Sequence, residues 1–120
     1  MRKRTAARAV HSKRGNTHFV MIENLRVLIT AHHDCWFAQG VEIDFGVEGN
    51  TRDQVMRAFE YGLAATIAAH LKKFHHIENL LRPAPPHVQR QAEQSALRRV
   101  RSEAPVYPLP FEIEFLEAAA

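Results

Sequence analysis

The chain has 120 residues, 46% of them hydrophobic and 24% charged, with a single cysteine and a formal charge of +3. That length supports one core rather than two, and the balance of apolar and charged residues excludes a wholly disordered chain. Cys35 alone excludes an intramolecular disulfide framework, and no apolar run approaches the roughly 20 residues that cross a bilayer. The basic N-terminal residues are not followed by an apolar stretch of the secretory type, so a cytoplasmic location is expected.

Charge is unevenly placed. Arg2, Lys3, Arg4, Arg8, Lys13 and Arg14 all precede the first acidic residue, Glu23, and the rest of the chain carries ten basic and thirteen acidic residues. Residues 1–22 are therefore expected to form a basic, flexible arm on a mildly acidic body. Ala6, Ala7, Ala9 and Val10 could support a short helix there, which Gly15 and Asn16 would break. Such an arm suits the phosphates of a nucleic acid, and it equally suits a solvated terminus.

From Leu25 to Ala31 apolar residues alternate, with Leu25, Val27, Ile29 and Ala31 on one face and Arg26, Leu28 and Thr30 on the other, the period of a strand. His32-His33-Asp34 is a break of hairpin length. Cys35 to Val41 reads as a second strand, with Trp36 and Phe37 on opposite faces, so that one of them lies on the outer face of the sheet, either exposed as a partner contact or, as expected, covered by the C-terminal segment. A third strand is expected over 41–48, with Val41, Ile43, Phe45 and Val47 facing a core and Glu42, Asp44 and Glu48 facing water. Thr51-Arg52-Asp53-Gln54 is a capping box that starts a helix, and Val55, Phe59, Leu63, Ile67 and Leu71 then recur every four residues as its apolar stripe. The helix is expected to end between His75 and Leu81.

Residues 83–120 read as an extension. Pro83, Pro85 and Pro86 form a rigid linker, and proline suits the first turn of a polar helix over 87–103 with a thin stripe of Val88, Ala92, Ala96 and Val100. Phe111-Glu112-Ile113-Glu114-Phe115 alternates again as a last strand, expected on an edge because Pro110 lacks a donor. The fold class is thus α+β: a three-stranded antiparallel sheet on one long helix, then linker, polar helix and C-terminal edge strand.

The order of these elements and their wording resemble the HicB-like antitoxin fold over residues 25–71. Asp34-Cys35-Trp36-Phe37-Ala38 is similar to the family's D-x-W-x-A second strand, Val41-Glu42-Ile43-Asp44 to its L-E-x-D third strand, and Gly49-Asn50-Thr51-Arg52-Asp53-Gln54-Val55 to its G-x-T-x-E-E-A helix start. The resemblance implies a partial RNase-H-like β-β-β-α-β domain over 23–82 that covers a small RNA-cleaving toxin. Gly40 and Val55 depart from residues common in the family. A C-terminal DNA-binding segment is not evident, which points to an orphan member rather than a complete repressor.

Function follows from what could carry chemistry. Glu42, Asp44 and Glu48 could in principle gather a divalent metal as nuclease carboxylates do, but a half-exposed strand carries such residues anyway, and contact with a basic partner is the expected role. Trp36 joins them as an expected contact. The eight histidines lack a Cys or Asp at ligand spacing, Cys35 lacks the setting of a nucleophile, and no phosphate-cradling glycine motif is present. Neither a metal nor a cofactor is therefore expected, and the chain reads as a non-catalytic protein-binding module, a homodimer or larger. The rival class is a nucleic-acid binder (RNA or DNA) using Arg2, Lys3, Arg4, Arg8, Lys13 and Arg14, helped by Arg98, Arg99 and Arg101. A phage protein that interferes with a host machine is a further alternative.

Overall fold

Two apolar alternations, out of phase by one residue, build the longest strand of the molecule. Val20 and Ile22 turn to the same side as Leu25, Val27 and Ile29, because Asn24 takes a left-handed conformation (φ 57°) and the pairing register shifts between Ile22 and Leu25. A bulge of this kind changes which face the following residues occupy. The computed structural model, which describes residues 6–95, 99–100 and 111–118, thereby joins the two halves into one strand, β2 (Thr17–Ala31), paired at its start with β1 (Arg8–Arg14). Residues 8–22 are thus a β-hairpin turned at Gly15 (φ 58°), not an arm with a short helix.

Four further strands complete the sheet: β3 (Trp36–Gly40), β4 (Gly46–Gly49), β5 (Arg99–Val100) and β6 (Phe111–Glu117). The order is β4-β3-β2-β6-β5, all neighbours antiparallel except β2 and β6. Ile22 pairs with both β1 and β6, and Val27 with both β3 and β6, so β1 and β3 share one edge of β2 in tandem. Among the described residues the expected three-stranded sheet is therefore six-stranded, and the C-terminal strand lies between β2 and β5 rather than at an edge. Pro110 precedes β6, so the strand itself keeps every donor needed to bond on both sides.

One helix covers each face. α1 (Arg52–Phe74) buries Val55, Phe59, Leu63, Ile67 and Leu71, the anticipated stripe, against Leu25, Val27, Ile29, Ala38, Ile43 and Phe115. Full burial of side chains such as Phe59 and Leu63 contributes about 1.5–3 kcal/mol each, so this face holds most of the fold's stability. Thr51 caps the helix by accepting from the Gln54 N–H at 3.0 Å, while Gln54 reaches back one residue further than the motif implies, to the Asn50 N–H at 2.6 Å. The helix ends one residue short of the expected window, where left-handed His75 (φ 63°) donates its N–H to the Leu71 carbonyl.

The proline segment then crosses to the other face, where the Ala84 N–H donates to the Val41 carbonyl at 2.8 Å. α2 (Pro86–Gln94) starts at a proline, as expected, and packs Val88 and Ala92 on Leu28, Val41 and Leu116. It stops nine residues before the expected end, at buried Ser95, whose hydroxyl donates to the Gln91 carbonyl, and Arg99–Val100 are strand instead. Ala96 lies outside the described residues.

Segment 41–45 departs most from its alternating sequence. The Gly40 N–H donates to the Phe45 carbonyl and the Phe45 N–H to the Ile43 carbonyl, which folds these residues into a tight turn between β3 and β4. Val41 thereby enters the α2-side core while Ile43 enters the α1-side core. Gly40 is required here: a Cβ would lie 2.3 Å from the Ile43 carbonyl oxygen.

Candidate functional site

The α1 face is closed, whereas among the described residues the opposite face is covered only in part. α2 lies over Leu28, Val41 and Leu116, and Phe37 belongs to neither core cluster. Its ring is half-buried across Gly46, where a Cβ would meet Phe37 Cζ at 2.8 Å, with His32 edge-on at 6.3 Å between centroids. Exposed Glu48 sits directly opposite Phe37 in the β3–β4 register. Gln39, on the same face of β3, donates from Nε2 to Asp44 Oδ1 at 3.1 Å. Phe37, Gln39, Asp44 and Glu48 thus form an acidic strip around one aromatic ring.

The anticipated contact residues are divided by the fold. Asp44 and Glu48 lie on this strip. Glu42 instead accepts from Arg26, Nε to Oε1 at 2.9 Å and backbone N–H to Oε2 at 3.2 Å, with both side chains about one-sixth exposed. The reason is the turn at 41–45, which folds Glu42 back over β2 instead of out along a strand. Trp36 packs half-buried against the α1-side core, so of the two neighbouring aromatics it is Phe37 that occupies the uncovered face. Strand alternation gives the opposition of the two rings, but which ring is covered depends on where α2 lands, information carried by residues fifty positions away. Among the described residues, no group of three or more His, Cys, Asp or Glu side chains is placed to hold a metal ion.

Just beyond the edge of β4 runs an open groove. One part, about 280 Å³, is lined by Cys35, Glu48, Gly49, Asn50, Gln54 and Ala58. It continues along α1 as a shallow depression of about 650 Å³ past Arg57 to Tyr61, whose ring is 72% exposed. Sequence periodicity places Gln54, Ala58 and Tyr61 off the apolar stripe, but nothing in it distinguishes a groove wall from an ordinary wet helix face.

Of the basic residues expected to meet a nucleic acid, only Arg8, Lys13 and Arg14 have described side chains, and they lie on the β1–β2 hairpin. Arg2, Lys3, Arg4, Arg98 and Arg101 lie outside the described residues, and of Arg99 only the backbone is described. Arg8 pairs with Glu23 at 2.9 Å, and Lys13 and Arg14 are exposed at the hairpin tip. One hairpin face carries exposed Val10, Phe19 and Met21. On the other, His11 and His18 stack at 5.0 Å with Nε2 and Nδ1 2.8 Å apart. Desolvation in this stack, then the positive charges of His11, Lys13 and His75, lower the His18 pKa from its ordinary value.

Comparison of the chain with protein-family models, curated proteins and solved structures returns no match. No helix among the described residues is long and apolar enough to cross a membrane.

Proposed function

We propose that this chain is a non-catalytic, HicB-like protein-binding module that engages a basic partner protein through the outer face of β3 and β4. The observation that carries this reading is the acidic strip itself: Phe37 stands outside both cores, flanked by Asp44 and Glu48, on the part of the sheet that α2 leaves uncovered. A large ring ringed by carboxylates offers an apolar anchor together with charge that steers a cationic partner. With β1, α2 and β5 as additions, the succession β2, β3, β4, α1, β6 follows the β-β-β-α-β order that the HicB-like resemblance implies, which supports the same reading.

The reading is tested by co-expression with the product of the adjacent reading frame. A stoichiometric complex with a small basic protein, lost in the Asp44→Lys/Glu48→Lys double variant, is the expected result. A complex that survives the double variant would refute the assigned face.

A second reading, nucleic-acid binding through the β1–β2 hairpin, is favoured by one observation: exposed Phe19 and Met21 lie on a ribbon whose tip is Lys13 and Arg14. An aromatic platform beside cations suits a single strand. Fluorescence anisotropy with a labelled oligonucleotide then shows affinity that falls steeply with salt and with Lys13→Ala/Arg14→Ala.

A further inference from the structure

We infer that the free edge of β4 accepts an extended, basic segment of the partner as an added strand; this rests on the reading of the acidic strip as a protein-binding face. The backbone geometry points there first. Bonded and non-bonded residue pairs alternate along an antiparallel ladder, and the Gly40 N–H donates to the Phe45 carbonyl. Counting along the register from that bond, Ala38/Val47 and Trp36/Gly49 are bonded pairs, while Gln39/Gly46 and Phe37/Glu48 are not. The N–H and C=O groups of Gly46 and Glu48 therefore point away from β3. Among the described residues β4 pairs with β3 alone and stands at the end of the strand order, so these groups present a template for one more strand.

The surroundings define the occupant. Side chains of an added strand alternate between the two faces. On the outer face they would meet Glu48 and Asp44, which select lysine or arginine. On the α1 side they would enter the groove lined by Cys35, Glu48, Gly49, Asn50, Gln54 and Ala58, whose mixed polar and apolar wall has room for short side chains such as valine. Two copies of this chain meeting edge to edge would bring their Glu48 carboxylates together, so like-charge repulsion disfavours self-pairing. The geometry fits a foreign strand of alternating basic and apolar residues.

The probe is an acetylated octapeptide of alternating lysine and valine, titrated into the full chain, with an alternating glutamate–valine peptide as control. Amide hydrogen exchange should slow by at least about tenfold at Gly46 and Glu48 in the complex, with little change at Val47 and Gly49, whose amides already face β3. Glu48→Gln keeps the outward donor and should weaken binding severalfold. Glu48→Pro also removes the donor and should weaken it about tenfold further, the scale of one hydrogen bond. Circular dichroism checks that Glu48→Pro is folded, and the exchange pattern of the wild type decides the matter if it is not. Binding without protection at Gly46 and Glu48, or equal affinity of the two folded variants, overturns strand addition while keeping the acidic-face reading. Failure of the wild type to bind the lysine–valine peptide in preference to the glutamate–valine peptide overturns both.

Discussion

The two faces of the sheet are built from the same strands yet differ in how completely they are closed. Beneath α1, side chains from β2, β3, β6 and the 41–45 turn meet a continuous stripe five residues long, and Val27, Ile29, Val55, Phe59 and Leu63 are wholly buried. Beneath α2, the cluster among the described residues is Leu28, Val41, Ala84, Val88, Ala92 and Leu116, with Ala118 packed against it. Among the described residues the nine-residue α2 does not extend to Phe37 and the acidic pair. The difference teaches that one side of the β-layer holds the main core, and it leaves the other side for the proposed recognition.

The sharpest way to break this comparison is a pair of phenylalanine truncations. Phe59→Ala, in the closed face, should cost about 3–5 kcal/mol in chemical denaturation. Phe37→Ala, on the open face, should cost about 1 kcal/mol or less and act instead on partner binding. Comparable losses of stability would erase the distinction between the two faces.

An intermediate effect is expected at the boundary between them. Arg26 and Glu42 are mostly shielded and bonded to each other, so Glu42→Ala leaves a guanidinium and a backbone N–H short of an acceptor. A loss of about 1.5–3 kcal/mol should result, with partner binding unchanged once the protein is folded. Thr51→Ala, which removes the cap of α1, should lower stability by about 1 kcal/mol.

The smallest effect is pH-dependent and confined to the hairpin. Since the folded state holds the His18 pKa below its ordinary value, the unfolded hairpin binds protons more readily as pH falls through about 6.5. The hairpin should therefore be at full stability above that value and lose some of it below, down to the lowered pKa. Amide exchange across 8–22 at pH 7.5 and pH 5.5 measures this, and His18→Gln should flatten the dependence.

What was legible in the sequence follows the same division. The α1 stripe and the 25–31 alternation could be matched in advance because each is a local period that one face of a core enforces. The hairpin escaped because Glu23-Asn24 interrupts the alternation, and an Asn in the left-handed region reads as a boundary when it is a bulge inside one strand. The 41–48 segment misled in the opposite way: it alternates throughout, yet a turn at Gly40–Phe45 divides it, sending Val41 and Ile43 to different cores. The last strand's central position depends on long-range parallel pairing with β2, for which a local pattern holds no signal. The surroundings of the expected contact residues follow the same pattern: Asp44 and Glu48 are exposed, whereas the turn brings Glu42 to Arg26 and Trp36 packs half-buried on the α1-side core.

The strip beside α2 formed by Phe37, Gln39, Asp44 and Glu48 is the recognition face we propose. Amide and aromatic chemical shifts of the isotope-labelled chain, followed while the product of the adjacent reading frame, the proposed basic partner, is added, test it most directly. The prediction is that shifts concentrate at Phe37, Gln39, Asp44 and Glu48 and leave the hairpin residues 8–22 in place. Shifts confined to the hairpin, with the Phe37 ring unmoved, would contradict it.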